Sequence, residues 1–107
     1  MDYKVIRLAW CKTDKNDKIW GWIALGSEDD VGYNFWGRRG AKLTFKRYPR
    51  YSRDTLYALY ESKIRKGYRD TTLAKLEAAE EGFTADFEKQ FTLARMFDQF
   101  HGEGEPA

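Results

Sequence analysis

Apolar residues recur at two spacings along this chain, every second position through most of its first half and every third or fourth position thereafter. Residues 3–10 (YKVIRLAW) alternate loosely, with Ile6, Leu8 and Trp10 on one side and Tyr3, Val5 and Ala9 on the other, which predicts a strand with little polar face. The polar cluster KTDKND then reads as a turn, and residues 18–25 (KIWGWIAL) as the returning strand of a hairpin. In it Ile19, Ile23 and Leu25 face one way and Trp20, Trp22 and Ala24 the other, with Gly21 marking a bulge or a close backbone approach. An acidic loop bounded by glycines (26–32) precedes a short strand, 33–36, ending at Gly37. The strand predicted over 42–48 (KLTFKRY) alternates most cleanly: Leu43 and Phe45 point one way, and Lys42, Thr44 and Lys46 form a polar, basic face.

From Pro49 onward the period becomes helical. Ser52 is an N-cap for a helix over 53–66, with Asp54 in its first turn, Lys63, Arg65 and Lys66 in its last, and Gly67 as the stop. A short helix, LAKLEAAEE, ends at Gly82, and Thr84 can cap a longer one. On that last helix Phe87, Phe91, Leu93, Ala94, Met96, Phe97 and Phe100 cover more than half the circumference, wider than one sheet face covers. This predicts a partner chain on the helix, in the form of a homodimer through residues 84–100.

The predicted fold is α+β: a small antiparallel sheet of four or five strands with one helix on a face, plus a C-terminal helical extension. At 107 residues the chain suffices for one compact unit. Charge divides it. Residues 1–70 carry 16 Lys and Arg against 9 Asp and Glu, and residues 71–107 carry 3 against 8, so a near-neutral total conceals a basic part expected to meet an anion. A third reading has the acidic part shield the basic face. Cys11 stands alone, so no internal disulfide forms, and with a single histidine, His101, there is no metal set. Neither a signal-peptide core nor a run near the roughly 18 apolar residues of a membrane span is visible, so the expected location is cytoplasmic, with no membrane association. Phosphate loops, serine elbows and HExxH patterns are missing, and neither catalysis nor a cofactor is expected.

The stretch YNFWGRRG from Tyr33, followed by a basic strand and a helix closing in KIRKGY, resembles the WGR domain, a family found in some DNA-dependent poly(ADP-ribose) polymerases and in short bacterial proteins. The order of elements matches as well as the tripeptide, over roughly residues 3–69; the turn after the tripeptide is shorter than is usual in the family. The resemblance implies a WGR-like part over 1–69 and an acidic helical extension over 70–107, packed on it or on a partner and frayed after about 101. It further implies binding at DNA ends or breaks, with Trp36 packing on a sugar, Gly37 allowing close approach and Arg38 as the arginine of the motif. Charge and position add Arg39, Lys42, Lys46, Arg47 and Arg50 as phosphate contacts. Other readings stay open: Trp36 as a core or edge residue, Gly37 as a turn residue, and Lys63, Arg65, Lys66 and Arg69 as partners of the helix dipole. Tyr68 is expected to pack, and a protein-interaction module is the alternative function.

Overall fold

The computed structural model describes residues 3–26 and 31–101, apart from the side chains of Phe100 and His101. Most of the acidic loop (27–30) and the tail expected to fray lie outside the described residues. Strands β1 (Tyr3–Lys12), β2 (Asp17–Leu25), β3 (Gly32–Arg38) and β4 (Thr44–Tyr48) are followed by helix α1 (Arg53–Arg65), the two-residue strand β5 (Arg69–Asp70), and helices α2 (Leu73–Ala79) and α3 (Phe83–His101). The five strands form one antiparallel sheet in the order β4-β3-β2-β1-β5. This is the α+β fold expected.

Both faces of the sheet are covered, because strand alternation sends large apolar side chains to each. On one face Ile19, Ile23, Tyr33 and Phe35 pack with Leu76 of α2 and Phe83, Phe87 and Phe91 of α3. On the other, Ala9, Cys11, Trp20 and Trp22 pack with Leu56 of α1 and with Tyr68. The C-terminal helices therefore share a core with the sheet. They lie on the face opposite α1, so α2 and α3 do not shield that side. The wide apolar surface of α3 resolves into a buried part, with Phe87 and Phe91 each 1% exposed, and an outer part of Leu93, Met96 and Phe97.

Some boundaries and facings differ from the sequence reading. A register shift between Val5 and Arg7 makes Ile6 the extra residue of a bulge, so Tyr3 and Val5 join Leu8 and Trp10 on the α3 side while Ile6 packs toward α1. Apolar residues on both sides of this strand hid that change of parity. Gly21 is a close approach and not a bulge: a Cβ there would lie 2.2 Å from Cζ of Phe35. Strand β4 begins at Thr44, because the N–H of Leu43 donates to Oε1 of Gln90 on α3. Ser52 caps α1 as expected, its Oγ accepting from the N–H of Thr55 at 3.1 Å. Thr84 is not the cap of α3; Glu77 of α2 accepts from the N–H groups of Gly82 and Thr84, both at 2.8 Å. Those two donors hold the Glu77 carboxyl below the ordinary range.

Candidate nucleic-acid interface

Trp36 opens the site. It sits in β3 opposite Trp20 of β2 on one side and Thr44 of β4 on the other, on the sheet face that carries α1. Helix α1 packs over β1 and β2, so Trp20 is buried at 1% exposure whereas Trp36, one strand further out, is 37% exposed. The same chain position in adjacent strands thus becomes core in one and surface in the other. Gly37 follows with φ +148°, a conformation that side chains rarely adopt, and a Cβ there would also stand 3.1 Å from Leu43 Cδ2. Glycine is required by the backbone at this point.

The antiparallel register brings Lys18 opposite Arg38. A third cation arrives from the end of α1. There the N–H of Gly67 bonds to the Ile64 carbonyl and the N–H of Tyr68 to the Lys63 carbonyl, a Schellman turn whose glycine has φ +102°. The turn reverses the chain and tucks the Tyr68 ring against the sheet, with the ammonium of Lys63 at 5.6 Å and that of Lys18 at 6.0 Å from its centroid. Lys15 comes from the β1–β2 turn, which Thr13 closes by accepting from Asn16 N–H at 3.0 Å. Trp36, Arg38, Lys18, Lys63, Lys15 and Tyr68 together line a cleft of about 330 Å³.

Asp17 is the one carboxylate on the cleft wall among the described residues, and it is engaged elsewhere. Its Oδ1 accepts from Arg39 Nε at 2.9 Å and from Trp10 Nε1 at 2.7 Å, and its Oδ2 from Arg39 Nη2 at 2.7 Å. The Arg39 fork, first, lowers its carboxyl to about 2. Among the described residues no carboxylate forms an ion pair with Lys15, Lys18, Arg38 or Lys63. Burial, followed by the charges of Lys66 and Lys18, pushes the Lys63 ammonium below the usual lysine range. An anion in the cleft would relieve that repulsion.

The residues singled out by position in the sequence scatter over both faces. Trp36, Gly37 and Arg38 share the cleft. Lys46 lies on the same face two residues along β4 from Thr44, with its ammonium 5.1 Å from the Tyr48 ring. Arg39 does not join them. It is clamped to Asp17 and, through Nη1 at 2.6 Å, to Glu80, with its guanidinium 5.2 Å from the Trp10 ring centroid. Its role is to tie the β1–β2 turn, β3 and the end of α2 together. Arg47 falls on the opposite face, in register with Tyr33. Lys42 borders a groove with Leu43, Gln90 and Phe97, also on the α3 side, and Arg50 is exposed in the turn after β4.

Lys15, Lys18, Lys63 and Tyr68 were not among the residues expected to bind. The pairing of Lys18 with Arg38 follows from the register of β2 and β3, closed where the N–H of Leu25 donates to the Val31 carbonyl, and the sequence alone did not mark that closure.

The chain matches no protein-family model, no curated protein and no solved structure. No helix among the described residues is long and apolar enough to cross a membrane.

Proposed function

We propose that this chain is a non-catalytic, cytoplasmic nucleic-acid-binding domain of the WGR kind that engages DNA, above all at ends or breaks, with little regard to sequence. One observation carries the reading: a part-exposed indole shares a cleft with four cations, Lys15, Lys18, Arg38 and Lys63, that no carboxylate among the described residues pairs with. An aromatic face beside guanidinium and ammonium groups suits a sugar-phosphate chain, since the ring accepts a sugar or any base and the cations accept phosphate. Lys46, further along the same face, extends the positive track. The preference for ends and breaks rests on the resemblance of the tripeptide region.

A second reading is favoured by α3, where Leu93, Met96 and Phe97 are 57%, 46% and 62% exposed. It has the chain docking another protein, in the first instance a second copy through residues 84–100. Salt separates the two. If Lys18, Arg38, Lys46 and Lys63 each neutralise one phosphate of a single strand, log K falls against log salt with a slope of about −3, so affinity drops about 50-fold between about 50 and 200 mM. An apolar contact responds little to that change. A flat salt response of oligonucleotide binding rules out the phosphate-binding role.

A further inference from the structure

Tyr68 is a wall between two spaces. Beyond the cationic cleft, between the last turn of α1 and β5, lies an open groove of about 850 Å³ whose lining includes Tyr60, Glu61, Ile64, Tyr68, Arg69 and Asp70. Its chemistry differs from that of the cleft. Ile64 is 38% exposed among mostly exposed, charged neighbours and joins half-buried Tyr60 and buried Tyr68 in an apolar floor. The charges are mixed, with Glu61 3.9 Å from Arg65 and Asp70 beside Arg69 in sequence. The Tyr60 hydroxyl donates to Asp70 Oδ1 at 2.8 Å, which leaves Oδ2 without a hydrogen bond among the described residues. Two carboxylates, Glu61 and Asp70, offset the two arginines, Arg65 and Arg69, so the groove lacks the surplus of positive charge that the cleft offers a phosphate. A flat, uncharged ring with amino groups on its edge suits it: the apolar floor meets the ring face, and the carboxylates accept from the amine.

We infer that this groove receives an unpaired nucleobase from a strand whose phosphates lie in the Trp36 cleft, with bases that carry an exocyclic amine preferred over thymine. The inference rests on the nucleic-acid reading above and narrows it to single strands and frayed ends, because a base inside a duplex keeps its edge on its partner. Thymine presents a carbonyl oxygen where cytosine presents an amine, and that oxygen repels a carboxylate.

The test uses the full chain and three end-labelled probes of equal length at one ionic strength and neutral pH: oligo-dC, oligo-dT and a blunt duplex, read by fluorescence anisotropy. Oligo-dC should bind about tenfold more tightly than oligo-dT, and also more tightly than the duplex. Ile64→Gln, a change at an exposed helix position, should weaken oligo-dC about fivefold and leave the duplex unchanged. Oligo-dT equal to oligo-dC, a duplex bound at least as tightly as oligo-dC, or oligo-dC binding indifferent to Ile64→Gln overturns the base groove while leaving the cleft intact. Absence of binding to all three probes overturns the nucleic-acid reading and the groove with it.

Discussion

Gly21→Ala should lower the melting temperature by more than about 10 °C, corresponding to about 3 kcal/mol in a domain of this size. The added methyl would stand 2.2, 2.6 and 2.9 Å from three atoms of the Phe35 ring. That ring is fully buried and held by Phe87 and Phe45, with centroids at 4.9 and 5.8 Å, so it has no open side to move into. Overpacking a close-packed core drives side chains off their rotamers or displaces backbone, and here the displaced backbone belongs to the central strand of the sheet. The double variant Gly21→Ala with Phe35→Leu should recover part of the loss, since leucine removes the atom closest to the new methyl. Thermal melting of the single variant at the native temperature would contradict this packing.

Arg39→Ala should cost about 3 kcal/mol and should also change how stability depends on pH. Arg39 and Asp17 are each 15% exposed, and removing the guanidinium leaves a largely buried carboxylate with only Trp10 and Lys12 as donors. The sign of the pH effect follows from the Asp17 carboxyl, lowered to about 2 in the folded chain. A depressed carboxyl adds stability that is complete above its unfolded value of about 4 and is lost as pH falls through 2. The native protein should therefore lose stability on acidification across that window, and Arg39→Ala should lose less, because its Asp17 titrates nearer the unfolded value. Denaturant unfolding at a series of pH values measures both. A variant equal to the native chain in stability and in acid slope would show that the clamp is not formed.

The clean alternation of Leu43, Thr44, Phe45 and Lys46 and the caps and stops of α1 were legible in the sequence because each has a local cause. The bulge at Ile6 was not, since a strand buried on both faces has no polar phase to lose when the register slips. Nor was the division of α3: apolar residues cover more than half its circumference from Phe87 onward, and only the sheet decides that Phe91 is buried while Phe97 is not. In the candidate site, Trp36 and Arg38 are adjacent in sequence and share a cleft, but Arg39, one residue further, points across the sheet to Asp17 and Glu80. A charge count cannot see that alternation. Lys63 could be explained wholly by the dipole of its own helix; its approach to Lys18 depends on the turn at Gly67 that places Tyr68 between them.

The most direct test of the account is the dissociation constant of Trp36→Ala for a single-stranded oligonucleotide at fixed salt, with the melting temperature measured alongside. Loss of a stacking ring predicts about tenfold or greater weakening, while the fold, in which this indole is an outer residue, keeps most of its stability. An unchanged dissociation constant in a folded variant would contradict the account.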